Sequence, residues 1–170
     1  MTAKLNQERR FVLHLLGYWD DLRDGRDFPT AAEIDPEAIG AKWAACFLLR
    51  VTSPLEACTF AHLGAEARPS GLAGEAPAVR GVPAGTLLAH ATGHLRTLLD
   101  KRAPVSLAGE VALADGPVLC RSLLLPLSAN DRDIDHVLGA ITYRPVAADA
   151  APADGSGAGA RSGPEGGVPA

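Results

Sequence analysis

The spacing of hydrophobic residues changes in the second half of the chain, and this change indicates an order of elements. Over residues 83–101 apolar side chains recur every three or four positions, which predicts one long amphipathic helix. Over 105–113 they alternate with small or polar residues, as is typical of a half-buried strand. An Asp-Gly turn and the apolar runs 118–127 and 134–143 complete three sequential strands that pair most simply as antiparallel neighbours.

The first half of the chain predicts a helix followed by a hairpin. Apolar residues from Val12 to Leu22 have helical spacing and end at an Asp-Gly stop, which indicates an amphipathic N-terminal helix. Asp35-Pro36 marks the start of a short helix, because proline is favoured in a first helical turn. The apolar runs 44–51 and 57–63 predict two paired strands, and the Gly- and Pro-containing stretch 64–82 predicts brief helical turns.

The last 25 residues differ in composition from the rest of the chain. Residues 146–170 contain eight Ala, six Gly and three Pro, with no aromatic residue and no periodicity. Such a segment cannot bury enough apolar surface to offset the entropy lost on ordering. We therefore expect one domain over residues 1–145, followed by a disordered tail over 146–170.

Charge and cysteine content exclude several classes of protein. The net charge of −4, from 16 basic and 20 acidic residues, gives no reason to expect a nucleic-acid partner. Cys46, Cys58 and Cys120 lie in apolar runs without Cys-x-x-Cys spacing, so we expect buried, reduced thiols rather than disulfides or zinc ligands. No apolar segment approaches the roughly 20 residues of a membrane span. The N-terminus also lacks the apolar core of a signal peptide, so we expect a cytoplasmic protein with no membrane partner.

The predicted order of elements resembles that of the PAS fold. In that fold, a five-stranded antiparallel sheet is covered by short helices and one longer connecting helix. Residues 18–26 (Tyr-Trp-Asp-Asp-Leu-Arg-Asp-Gly-Arg), followed by the strand 46–51, are similar to the opening of a family of small, mostly stand-alone bacterial PAS-domain proteins. The pattern at 124–128 (Leu-Leu-Pro-Leu-Ser) and the closing strand 137–143 also resemble that family. The resemblance extends over residues 8–144 and implies an α+β, PAS-like fold with an N-terminal amphipathic flanking helix.

The resemblance further implies a sensory or regulatory module in signal transduction that acts through protein–protein contacts and is not an enzyme. The 145-residue unit carries no nucleotide-binding glycine loop, kinase signature or DNA-reading helix pair, so its output is expected to be a contact with an unidentified signalling protein. The stripe of Leu15, Trp19 and Leu22 on the first helix could cover its own sheet or pair with a second copy in a homodimer. Both alternatives are open at this stage.

A sheet covered by loosely packed short helices can also hold a small apolar ligand between its layers. The candidates for the pocket are residues of the helix and strands that face this space: Phe60, His62, Leu87, Ala91, Leu95, Leu98, His136 and Leu138. No cofactor is expected to fill it.

Two alternatives from other functional classes stay open. His90 and His94 are four residues apart on the predicted long helix, a spacing that can serve a haem- or metal-binding sensor. Carboxylate partners at ligand spacing are missing, so a metal is not expected. A small α+β isomerase or hydratase would instead use Glu110, Arg121 and His136 in an apolar pocket.

Overall fold

A computed structural model describes residues 2–146 of the chain, with side chains from residue 6 onwards. The helices are α1 (Thr2–Arg23), α2 (Pro36–Ile39), α3 (Leu87–Thr92) and α4 (Leu95–Lys101). The strands are β1 (Cys46–Arg50), β2 (Thr59–Leu63), β3 (Val105–Leu113), β4 (Gly116–Leu127) and β5 (His136–Pro145). Apart from Val146, the tail predicted over 146–170 lies outside the described residues. Among the helices described, none is both long and apolar enough to cross a membrane.

The five strands form one antiparallel sheet in the order β2-β1-β5-β4-β3. Strands β3, β4 and β5 form the predicted meander, and β1 and β2 form the predicted hairpin. The last strand lies between β1 and β4, so Leu138 pairs with Leu48 on one side and with Leu125 on the other. The α+β fold that the resemblance implies, with a five-stranded sheet, a few helices and an N-terminal helix, is confirmed.

Apolar side chains cover both faces of the sheet. The inner cluster lies between the sheet and helices α3 and α4, and its largest members include Phe47, Phe60, Leu88, Leu95, Leu98 and Leu124. The outer cluster lies under α1 and includes Leu15, Trp19, Phe28, Leu123, Leu125 and Leu138. The alternation of β5 separates the two clusters, because Val137 and Ile141 join the inner one while Leu138 and Ala140 join the outer one.

Helix α1 packs on the sheet of its own chain. Leu15 is 0% exposed and Trp19 is 6% exposed, both within the outer cluster, while Leu22 is half-buried. The indole nitrogen of Trp19 also donates a buried hydrogen bond to the carbonyl oxygen of Pro126 in β4. Of the two alternatives left open by the sequence, the structure therefore shows self-packing for Leu15 and Trp19.

The prediction of a single long helix over residues 83–101 is wrong, because the structure has two short helices there. Helix α3 begins after Thr86, whose side-chain oxygen accepts a hydrogen bond from the Ala89 N–H, and ends at Thr92, with Gly93 as its C-cap. His94 then has a non-helical backbone, with φ −100° and ψ 8°, before α4 starts. Glycine is unfavourable inside a helix, and Gly93 lies where the pattern divides, with Ala91 and Leu95 on either side of it both packed in the inner cluster.

Candidate functional site

The eight predicted pocket residues do not surround one space. Phe60, Ala91, Leu95 and Leu98 are buried in the inner cluster, and Leu87 is half-buried against it. Leu138 instead belongs to the outer cluster, under α1. The expectation that Leu138 lines the same pocket as Phe60 is wrong, because the two side chains lie on opposite faces of the sheet.

His62 is displaced from the predicted pocket by a β-bulge. The β1–β2 register shifts so that Leu49 pairs with Phe60 while Leu48 pairs with His62, which leaves Ala61 as the extra residue. His62 consequently stacks on Trp43, which packs against the outer cluster, with ring centroids 4.1 Å apart and planes 11° apart. The expectation that His62 shares a face with Phe60 is wrong, since strict alternation fails at a bulge.

His136 lies at the start of β5 and pairs its side chain with a carboxylate. Its Nδ1 lies 2.6 Å from Oδ1 of Asp135, and the ring is half-buried. The backbone of His136 pairs with Leu127 of β4, six residues from Arg121, which corresponds to about 20 Å along a strand. Glu110 is exposed on β3. The structure therefore does not bring together the residues of the isomerase or hydratase alternative.

Two phenylalanine rings fill the space that the prediction assigned to a ligand. Phe47 and Phe60 are both 0% exposed and meet edge to face, with centroids 5.5 Å apart. Gly139 of β5 lies directly under the Phe47 ring, so that a Cβ at residue 139 would overlap it. The inner cluster is thus packed by aromatic side chains at the centre of the sheet.

A surface cleft of about 220 Å³ opens beside the junction of α3 and α4. We call it the histidine cleft, and its lining consists of His90, His94, Leu107, Ala108, Gly109, Glu110, Cys120 and Ser122. The two imidazole rings meet edge to face with centroids 5.4 Å apart. The hydroxyl of Ser122 is buried in a residue that is 1% exposed, and it has no hydrogen-bond partner within the described part of the chain.

This cleft brings together two imidazoles, a hydroxyl and a thiol beside one carboxylate, that of Glu110. Burial raises the pKa of the Cys120 thiol to about 11, with a smaller contribution from the negative charge of Glu8, so the thiol is protonated at neutral pH. His94 lies between α3 and α4, so the two histidines do not belong to one helix, although both rings line the same cleft. Among residues 2–146, no group of three or more His, Cys, Asp or Glu side chains is placed to hold a metal ion.

Among the strands that the structure describes, β3 forms one edge of the sheet and pairs with β4 alone. Its register with β4 is continuous over all nine residues. Within the described residues, none of its backbone groups bonds to a segment outside this hairpin. The side chains on the face away from α3 and α4 are exposed, and these are Ser106, Ala108, Glu110 and Ala112. Natural edge strands are usually short, bulged, rich in charge or interrupted by proline, whereas β3 has a single charge and none of the other features.

The opposite edge of the sheet is protected. Strand β2 has five residues and carries the bulge. Its outer side is also bonded to a neighbouring loop, because the Phe60 N–H donates to the carbonyl of Pro77 and the Val79 N–H donates to the carbonyl of Cys58. The two ends of the sheet therefore differ, and only β3 presents a long row of backbone groups without partners in the described structure.

The histidine cleft and the β3 edge are adjacent surfaces. Residues Leu107–Glu110, in the middle of β3, form one wall of the cleft. Sequence reasoning missed this edge because strand order is a tertiary property. The signal that could have found it is the run of small, nearly uncharged residues at the polar positions of 105–113.

Comparison with known proteins identifies one family. A family model described as a PAS domain matches residues 8–142 of the chain. The matched span includes strands β1 to β4, most of α1 and β5 up to Thr142. Comparison with curated proteins and with solved structures finds no match.

Proposed function

This chain belongs to the PAS domain family, whose members are in general sensory or regulatory modules, and we propose that it acts through protein–protein contacts at the free edge of β3. The observation that carries this proposal is the contrast between the two sheet edges. One edge is short, bulged and bonded to a loop, while the other offers nine regularly paired residues whose outer side has no partner within residues 2–146.

An extended partner segment can add to such an edge as a further strand. Main-chain hydrogen bonds then supply affinity, at about 0.5–1.5 kcal/mol net for each bond, and alternate side chains supply specificity. Leu107, Val111 and Leu113 are half-buried on the side of β3 that faces the inner cluster. A partner strand would bury them further, so the edge offers apolar contact area as well as backbone groups.

Site-specific photo-crosslinking in the cell tests this proposal. A benzophenone amino acid replaces Ala112, which is exposed on β3, and the matched control places it at Ala32, which is exposed elsewhere on the surface. The proposal expects a discrete protein adduct from position 112 that the control does not give. Adducts that are the same at both positions would contradict it.

A pair of proline variants shows whether such an adduct depends on the strand edge. Adjacent residues of an antiparallel strand point their backbone groups alternately towards and away from the neighbouring strand. One of Ala108→Pro and Gly109→Pro therefore removes an outward N–H and retains the parent's melting temperature, while the other breaks the ladder with β4 and destabilises the domain. The fold-neutral variant is expected to lose the adduct from position 112.

A second candidate function is the sensing of a small ligand in the histidine cleft. The buried Ser122 hydroxyl favours it, because a buried polar group without a partner is costly and is satisfied by a bound hydrogen-bonding group. The volume of about 220 Å³ is below the roughly 300 Å³ at which drug-sized pockets begin, which favours a small molecule over haem.

Native mass spectrometry of the purified chain tests this candidate: a bound mass is expected in the parent and not in Ser122→Val. A parent that carries no bound mass would contradict it.

A further inference from the structure

We infer that the partner at the β3 edge is a second copy of this chain, paired antiparallel with the first about a twofold axis at Gly109. The inference rests on the proposed function, because it names the occupant of the same edge. It follows from the sequence of β3, which is complementary to itself when one copy is reversed against the other.

Pairing centred on Gly109 uses the whole strand. Residue 105 of one copy then faces residue 113 of the other, and the register continues without interruption between them. Apolar residues meet on the side of the inner cluster, where Val105 faces Leu113 and Leu107 faces Val111. Small or polar residues meet on the opposite side, where Ser106 faces Ala112 and Ala108 faces Glu110.

The single charge of the strand selects this register over its neighbours. Opposed residues of an antiparallel pair lie on the same face, so the centre of a symmetric pairing moves in steps of one residue. A centre at Glu110 would place the two Glu110 carboxylates directly opposite each other, which is unfavourable. A centre at Ala108 would shorten the pairing to residues 105–111 and leave Leu113 unpaired. The Gly109 centre avoids both costs.

Gly109 also suits the position on the axis. It is exposed, and nothing lies within 4 Å of where a Cβ would be, so the packing of a single copy does not require glycine at this position. Pairing at this axis would join the two sheets into one continuous sheet and would remove the unprotected edge of each copy.

Two charge variants test the register, since Ser106 and Ala112 face each other across the proposed axis. Both residues are exposed, and their own neighbours on β4, Leu123 and Pro117, are uncharged. Ser106→Glu with Ala112→Glu would oppose like charges at two symmetric contacts, whereas Ser106→Glu with Ala112→Lys would oppose unlike charges. Circular dichroism melting of each full-length variant establishes that both remain folded.

Sedimentation velocity over a concentration series then measures the dimer dissociation constant of the parent and of both variants. The parent is expected to dimerise, and the Glu/Glu variant to dimerise at least about tenfold more weakly than the matched Glu/Lys variant. A parent that is monomeric at every concentration overturns the inference. A parent dimer with equal dissociation constants in the two variants also overturns it, because the dimer would then use another surface.

Together, the sedimentation and crosslinking results distinguish a failure of this inference from a failure of the proposed function on which it rests. A monomeric parent whose position-112 adduct is lost in the fold-neutral proline variant overturns the second-copy inference and supports a contact with a different protein at the same edge. An adduct that survives in the proline variant overturns the proposed function itself.

Discussion

The indole Nε1 of Trp19 donates a 2.8 Å hydrogen bond to the carbonyl oxygen of Pro126, and the contact is buried between α1 and β4. The two residues are 107 positions apart in the chain, so this bond fixes the N-terminal helix to a strand of the second half of the domain. It also assigns the outer face of the sheet to the chain's own helix. The β3 edge and the histidine cleft beside it lie apart from this contact.

Replacing Trp19 with alanine tests this placement of α1. The change removes a large side chain that is 6% exposed and leaves the Pro126 carbonyl without its donor. We expect Trp19→Ala to lower the free energy of unfolding by about 3–5 kcal/mol. Trp19→Phe keeps most of the apolar contact and is expected to cost about 1–3 kcal/mol. Urea denaturation measures both values, and an unchanged stability in Trp19→Ala would contradict the packing described here.

The contact between Gly139 and Phe47 gives a second stability prediction. A Cβ at residue 139 would overlap the Phe47 ring, which is fully buried and also contacts Phe60 edge to face. We expect Gly139→Ala to cost about 1–3 kcal/mol through overpacking. In a Phe47→Leu background the smaller side chain leaves room for the new methyl group, so the same substitution should cost clearly less. Equal costs in the two backgrounds would show that the ring does not set the effect.

The histidines of the cleft give a prediction that separates the sensor alternatives. His90 is exposed and His94 half-buried, and their rings contact each other. We expect His90→Ala with His94→Ala to change the free energy of unfolding by no more than about 1 kcal/mol, as surface substitutions usually do. We also expect the parent to purify without a Soret band in its absorption spectrum. A Soret band that disappears in the double variant would instead support a haem sensor.

The buried thiols give a prediction about alkaline pH. Burial raises the pKa of Cys46 to about 12 and that of Cys120 to about 11, from an ordinary value of 9.0. The folded state disfavours each thiolate, so the protonated thiols contribute to the free energy of unfolding. This contribution is fully present below a pH of 9.0, and it is lost as the pH rises through the folded pKa, which is about 11 for Cys120 and about 12 for Cys46.

Cys120→Ala should therefore reduce the loss of stability at alkaline pH. We expect the variant to lose less free energy of unfolding than the parent between about pH 8 and about pH 10, by up to about 1.4 kcal/mol per pH unit above the thiol's unfolded pKa. Denaturation curves at both pH values check this, and comparing the change within each protein cancels the small cavity that the variant introduces. Identical pH dependence in parent and variant would contradict the raised pKa.

Much of the fold could be predicted from the sequence because its hydrophobic periods are unambiguous. The alternation from Val105 to Leu113 specifies a half-buried strand, and the burial along β3 follows it. The helical spacing that includes Leu15 and Trp19 specifies a helix with one apolar face, and both residues are buried on the sheet. These signals are local, and the tertiary structure does not oppose them.

The pocket could not be predicted in the same way because it depends on features that periodicity does not report. Gly93 falls within a continuous helical pattern, and the division of the helix shows only in the non-helical backbone of His94. The bulge at Ala61 reverses the face of His62. Strand β5 is apolar on both sides, so its sequence does not tell which face Leu138 occupies.

Regulation through the β3 edge is measured in cells of the organism that carries this chain. One strain carries the fold-neutral member of the Ala108→Pro and Gly109→Pro pair in place of the parent chain, at the same protein level. The transcript profile of this strain is compared with the profiles of the parent strain and of a strain in which the gene is deleted. If the β3 edge carries the regulatory contact, the edge variant reproduces the deletion profile. An edge variant that reproduces the parent profile would contradict it.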